Sequence, residues 1–348
     1  MTSRRNFIGG AAILSLAPAF NLTAKERFFI RSEKIIKPPK LKQGDVVGLI
    51  SPSGVIHETE PYEIAIETLQ SLGFKVKPSE HLYDRYGYLA GTDQDRADEI
   101  NSMFRDKEIK AIFCIRGGAG AARILDLLDY ELIRKNPKVM IGYSDITALL
   151  LAIYVKTGLV SFHGPVATSD WNDFTLDSFK RILFQGEAIT FTNPTKRADE
   201  LVQTEDRIRT IHPGKASGVL VGGNLSVLSA LVGSAYLPDW KGKILFLEDV
   251  GEEMHRIDRM MSQLKLAGIL DVLSGFVFGK CSRCTPVEGY GSLTFEEVID
   301  HYIKPLGIPA YSGAMIGHIS KKFTIPVGCM VEVDASNGTI EMKESAVI

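Results

Sequence analysis

Long hydrophobic runs, a dense cysteine pattern and an excess of charge of either sign are all missing from this chain. The formal net charge is −2 over 348 residues. With no Lys/Arg-rich run either, a nucleic-acid-binding surface is not expected. The four cysteines, Cys114, Cys281, Cys284 and Cys329, are too few for a disulfide scaffold. Two of them form a C-x-x-C over 281–284, but zinc would need a second ligand pair and none is spaced to match. That pair can close a disulfide after export or remain two packed thiols, and no catalytic role is expected of it. The apolar stretch Ile8 to Phe20 is too short for a membrane span, so stable membrane insertion is not expected. No internal repeat or low-complexity tract appears, and neither a metal nor a cofactor is expected.

What remains is the composition of an ordinary globular protein, 45% apolar and 24% charged. The length suggests two domains. Ser3-Arg4-Arg5-Asn6-Phe7, the apolar stretch after it and Ala17-Pro18-Ala19 together resemble a twin-arginine export signal, expected over residues 1–24. No cysteine lies near it to carry a lipid, and a periplasmic protein is the expectation, with a cytoplasmic one the alternative if the stretch is not a signal.

From residue 40 to 166 apolar runs alternate with helical periodicity. Strands are expected at 45–50, 74–78, 109–115, 138–141 and 159–162, and helices at 60–72, 95–104 and 121–128. Such alternation implies a mainly parallel sheet with its loops collected at the carboxyl edge. Residues 167–213 are polar, without clear alternation, and read as a linker or cover. A second α/β domain, richer in strands, is expected over 214–342.

The stretch Lys138 to Leu150 has an apolar β-type run, a Gly142-Tyr143-Ser144-Asp145 turn and an apolar helical run. Strand-turn-helix is the setting in which a serine hydroxyl is held exposed at a sheet edge. Ile146 stands two after Ser144, so this is not the G-x-S-x-G elbow. Equally, Ser144-Asp145 can simply cap the helix. Arg116-Gly117-Gly118-Ala119-Gly120 can present backbone amides to a phosphate or an oxyanion, or serve as a tight turn. It lacks both the P-loop Lys-Ser/Thr and the G-x-G-x-x-G spacing. Glu248 ends an apolar strand, where it can orient a histidine or join a helix-cap cluster. His318 and His163 both sit in Gly/Pro frames, and residue type alone does not choose between them; His255 and His301 fall inside helices.

Taken together these stretches resemble the LD-carboxypeptidase family of serine peptidases, which has a murein tetrapeptide branch and a microcin C self-immunity branch. The similarity runs from about residue 44 to residue 340. It includes Gly91-Thr92 with Arg96-Ala97, Arg116-Gly117-Gly118, Leu128-Asp129-Tyr130, Pro137-Lys138, Gly142 to Thr147, Phe162 to Pro165, Gly222 to Leu225, Leu247-Glu248-Asp249 and Gly317-His318. The family often has Tyr where this chain has Ala119. The resemblance implies a Ser144–His318–Glu248 triad, a first domain like a class I glutamine amidotransferase (flavodoxin-like), a β-rich swivelling-type second domain, and a homodimer. Backbone amides of Gly118 and Asp145 are expected to form the oxyanion hole, and Arg116, Gly117 and Asn224 to line the substrate pocket. The expected partner is a muropeptide losing its terminal D-alanine; a peptidyl-nucleotide substrate and a non-catalytic muropeptide-binding protein are the alternatives.

Overall fold

The computed structural model describes residues 34–195, 201–286 and 291–348. The twin-arginine stretch lies outside them. The first half of the chain alternates β1 (Val46–Ile50), α1 (Glu60–Ser71), β2 (Lys75–Pro78), α2 (Asp93–Arg105), β3 (Ile109–Cys114), α3 (Tyr130–Lys135), β4 (Val139–Gly142), α4 (Thr147–Thr157) and β5 (Ser161–His163). A 3₁₀ turn at Ala121–Leu127 stands where a helix is expected. The remainder supplies α5 (Asp173–Lys180), β6 (Thr190–Phe191), β7 (Arg209–His212), β8 (Lys215–Asn224), α6 (Leu225–Ala230), β9 (Ile244–Val250), α7 (Met254–Leu266), β10 (Gly275–Ser282), α8 (Phe295–Ile303), β11 (Ala310–Ser312), β12 (Ile325–Val327), β13 (Met330–Asp334) and β14 (Thr339–Met342).

Local chemistry explains where the elements start and stop. Thr92 and Asp95 close a reciprocal capping box at the start of α2, and Thr294 with Glu297 does the same for α8. Asp129, Asn172 and Asn224 cap α3, α5 and α6 through side-chain oxygens. The helix α4 is apolar all round, and its sequence has no polar face to give to solvent. It packs accordingly on both sides, against β4 and β5 and against β8 and α6.

Among the described residues, the first sheet runs β12-β5-β4-β3-β1-β2, with β1 to β5 parallel. Without its edge strand β12 this is the flavodoxin-like order, whose switch point lies between β1 and β3. The loops after those two strands meet there: a Cβ on Gly118 would lie 2.8 Å from the Gly54 Cα. The second sheet runs β6-β14-β13-β8-β9-β10-β11-β7 and is mixed, as expected for a β-rich second domain.

Two features depart from the sequence reading. Residues 167–213, read as a linker or cover, supply α5 and both edge strands of the second sheet, β6 on β14 and β7 on β11. The strand β12, deep in the second half, returns to the first sheet and pairs antiparallel with β5. Pro326 is tolerated there because β12 is an edge. The segment between β11 and β12 therefore crosses from one sheet to the other, and it carries His318.

Candidate active site

Ser144 follows the carboxyl end of β4 with φ of +64°, one of the few non-glycine residues in the left-handed region. Such a backbone costs on the order of 1–3 kcal/mol and persists only where its surroundings hold it. Here they do. Gly117 lies directly behind the serine, since a Cβ on it would fall 2.8 Å from the Ser144 Cβ. The buried Asp145 carboxylate accepts from the Ser53 hydroxyl at 2.5 Å and from the Ala121 amide at 2.8 Å. The turn after β4 is thus tied to the turns after β1 and β3. Neither Ser144 nor Asp145 caps α4 through its side chain, so the cap reading of this stretch does not hold.

The second sheet approaches the same turn from the other side. A Cβ on Gly223 would lie 2.5 Å from the Thr147 Cγ2, and the Asn224 amide donates to the Thr147 hydroxyl at 3.0 Å. From Asn224 the side chain continues inward. Its Nδ2 donates to Glu248 Oε1 at 3.2 Å and to Asp249 Oδ1 at 3.1 Å, while its Oδ1 caps α6. Asn224 is therefore buried and committed on every polar atom. The expectation that it lines the substrate pocket is corrected: it positions Glu248.

Glu248 is fully buried near the end of β9, and His318 donates from Nδ1 to its Oε2 at 2.8 Å. That bond leaves His318 Nε2 as the acceptor, the tautomer a general base needs. The chain passes close enough for the contact only because residue 317 is glycine. Its φ is +126°, and a Cβ would meet Glu248 Oε2 at 2.9 Å. Glu248 does not cap α7, whose first turn has no side-chain cap.

Ser144 and His318 open onto one cavity of about 470 Å³, whose walls include Arg116, Gly117, Gly118 and Tyr143. Ser144 Oγ and His318 are not hydrogen-bonded to each other. The Arg116 guanidinium is braced on the Val55 carbonyl at 3.1 Å and the Gly117 carbonyl at 3.0 Å. Among the described residues, the backbone amides of Gly118 and Asp145 donate to no protein acceptor.

Two neighbours are given no role from the sequence. Tyr143 sets its ring edge-on to His318 with centroids 4.8 Å apart, and Lys322 Nζ lies 5.0 Å from that ring on its face. Lys322 is buried, and burial lowers its pKa, partly offset by Asp170 and Glu248. A lysine in a Ser-Lys-Lys-Phe stretch gives no periodicity by which to see it as interior.

His163, the rival histidine, is buried between the rings of Tyr143 and Phe246, and neither ring nitrogen has a partner among the described residues. Burial pushes its pKa down to about 4. Its stability contribution is thus complete above the ordinary value of 6.5 and is lost as pH falls toward 4, because the unfolded chain takes the proton first. The loss amounts to about 3 kcal/mol. Asp249, raised to about 6 by burial, acts in the opposite direction over much of this window. The wild-type curve alone therefore hides the effect. Urea unfolding of His163→Phe against wild type is expected to show the variant gaining about 3 kcal/mol relative to wild type between pH 7 and pH 4. A difference that stays constant with pH would contradict this.

Cys281 and Cys284 are joined as a disulfide, and Cys114 and Cys329 are buried thiols. Among the described residues, one group with metal-ligand character, His81, Asp84 and Asp95, lies near the surface around the start of α2. Its atoms have other duties: His81 Nδ1 bonds to Asp84, and Asp95 serves the capping box.

Comparison with known proteins agrees with this architecture. The LD-carboxypeptidase N-terminal domain matches residues 47–164 and the C-terminal domain matches residues 217–333. A probable murein peptide carboxypeptidase of Bacillus subtilis (strain 168) is 41% identical over 308 residues, covering 87% of this chain and 93% of that protein. The murein tetrapeptide carboxypeptidase of Pseudomonas aeruginosa is 31% identical, covering 81% of this chain and 91% of the relative. Among solved structures, the microcin C7 self-immunity protein MccF in its apo state superposes with a TM-score of 0.80 at 30% identity, over 90% of this chain and 100% of that one. The two-sheet fold, the order of its motifs and these relatives lead to one assignment: the chain belongs to the LD-carboxypeptidase family, a family of peptidases.

Proposed function

We propose that this protein is a serine L,D-carboxypeptidase that removes the terminal D-alanine from murein tetrapeptide. The observation that carries the reading is the buried Glu248 holding His318 at 2.8 Å, with His318 and Ser144 on one cavity. In this reading His318 Nε2 takes the Ser144 proton as Oγ attacks the scissile carbonyl. Glu248 stabilises the resulting imidazolium. The free amides of Gly118 and Asp145 receive the oxyanion, where each donor contributes about 10²–10³ in rate. His318 then protonates the leaving amine of D-alanine, and a water activated by the same imidazole releases the acyl group. Arg116 on the cavity wall is the partner for the terminal carboxylate, which would make the enzyme an exopeptidase.

Export to the periplasm, inferred from Arg4-Arg5 and the apolar stretch after them, would place the enzyme beside peptidoglycan fragments. No helix among the described residues is long and apolar enough to cross a membrane. Homodimerisation rests on the family resemblance.

The likeness to MccF supports a second reading, cleavage of a peptidyl-nucleotide type amide. MccF has been seen in complex with aspartyl sulfamoyl adenosine, which makes that compound the natural competitor. The two readings part on kcat/KM measured side by side for murein tetrapeptide and aspartyl sulfamoyl adenosine. The tetrapeptide is expected to be preferred by at least about tenfold, roughly 1.4 kcal/mol of transition-state binding. Preference for the nucleotide compound would overturn the murein assignment.

A further inference from the structure

At the opposite edge of the first sheet, where β1, β3 and β4 begin, a cavity of about 330 Å³ is lined by Lys40, Lys42, Lys107, Lys110 and Lys138, with Asp45 as its carboxylate. Lys138 precedes β4 and Ser144 follows it, so the length of a strand, roughly 20 Å, separates this cavity from the serine.

Four of the lysines are exposed and the fifth, Lys138, is buried. None of the five makes an ion pair among the described residues. Lys138 Nζ donates to the Met103 carbonyl at 2.8 Å and to the Asp106 carbonyl, at the end of α2. An ammonium has three donors, so one remains. Burial lowers the Lys138 pKa to about 8, and the nearby Lys110 charge pushes the same way. The acids at hand, Asp45 in the cavity wall and Glu108 beside Lys107, are outnumbered by the five lysines. Asp45 accepts from the Lys42 backbone amide at 2.8 Å, and Asp106 is paired with Lys77 at 2.6 Å. Like charges are thus gathered in a concave site on a chain whose net charge is −2. That arrangement is repulsive in the free protein and is relieved by a bound anion.

We propose that this cavity is a binding site for a phosphate-type oxyanion, distinct from the Ser144 cavity. Lysine ammonium groups act as compact point charges that suit a phosphate bearing several oxygens, without the planar fork that arginine offers a carboxylate. Two sources carry that chemistry: orthophosphate or a phosphomonoester in solution, and the phosphodiester headgroup of an anionic lipid.

The test uses the full chain and a Lys107→Gln/Lys110→Gln variant, both changes being at exposed side chains. Far-UV circular dichroism and the unfolding temperature establish that the variant folds, independently of any enzymatic assay. Isothermal titration with orthophosphate at constant ionic strength is expected to show saturable binding, weakened about thirtyfold in the variant. Co-sedimentation with phosphatidylglycerol vesicles, against phosphatidylcholine controls, distinguishes the source. Capture by the anionic vesicles, lost in the variant, assigns the headgroup; orthophosphate binding without vesicle capture assigns the soluble ion. Binding of neither probe, or equal binding by wild type and variant, overturns the proposal.

Discussion

Alanine at position 144 is expected to lower turnover by about 10⁶, the loss seen when the nucleophile of another serine peptidase is removed. The change should leave the fold intact. Ser144 Oγ makes no hydrogen bond among the described residues, and alanine removes one atom from a side chain that faces a cavity. The strained backbone at φ +64° is held by its surroundings rather than by the hydroxyl. Gly117 packs behind the residue and the Asp145 carboxylate anchors the turn, and alanine disturbs neither. A residual rate of about 10³–10⁴ over water would remain from oxyanion stabilisation and binding. Steady-state kcat and the unfolding temperature, measured together, check this. A loss of only tenfold would remove Ser144 from the nucleophile's role.

The second large effect concerns Glu248→Gln, expected to lower kcat by about 10⁴. Glutamine has the shape of glutamate, so the reason lies in hydrogen-bond direction. Both Glu248 oxygens accept, one from Asn224 Nδ2 and one from His318 Nδ1. A carboxamide offers one oxygen and one NH₂. If its oxygen faces Asn224, the NH₂ faces His318. The imidazole must then accept at Nδ1 and carry its proton on Nε2, where it can no longer take one from serine. If the oxygen faces His318, two NH₂ groups confront each other in a fully buried place, leaving a donor unsatisfied at about 1–3 kcal/mol. The Ser144→Ala/Glu248→Gln double variant is expected to be no slower than Ser144→Ala alone, because residues acting as a unit are not additive. Additive losses would show that Glu248 works on something other than the His318–Ser144 pair.

Much of this site was legible in the sequence, and the parts that were not share a physical cause. The run from Val139 into Gly142 and the apolar stretch from Thr147 identify a strand, a turn and a buried helix, because periodicity reports burial directly. The resemblance to a known family singled out Ser144, Glu248 and His318. Apart from that resemblance, residue type and spacing could not choose between His318 and His163, whose frames are alike. That choice depends on β12 pairing with β5, a long-range contact that suspends residue 318 between the sheets beside Glu248. In that contact His163 pairs with Ile325, while Tyr143 and Phe246 set their rings against it.

Asn224 was misread for a related reason. Its Gly-Gly-Asn frame indicates a strand-to-helix turn but not which way the amide points, and it points to Glu248. The short edge strands β6 and β7 lie in polar sequence, where two to four residues show no alternation. Lys322 was invisible for the opposite reason: a buried charge contradicts every pattern by which burial is recognised.

The central claim is tested most directly by mass spectrometry of murein tetrapeptide incubated with the purified protein and with Ser144→Ala. The expected result is conversion to tripeptide and free D-alanine by wild type and none above background by the variant. Intact tetrapeptide after prolonged incubation with wild type, or equal D-alanine release by both proteins, would contradict it.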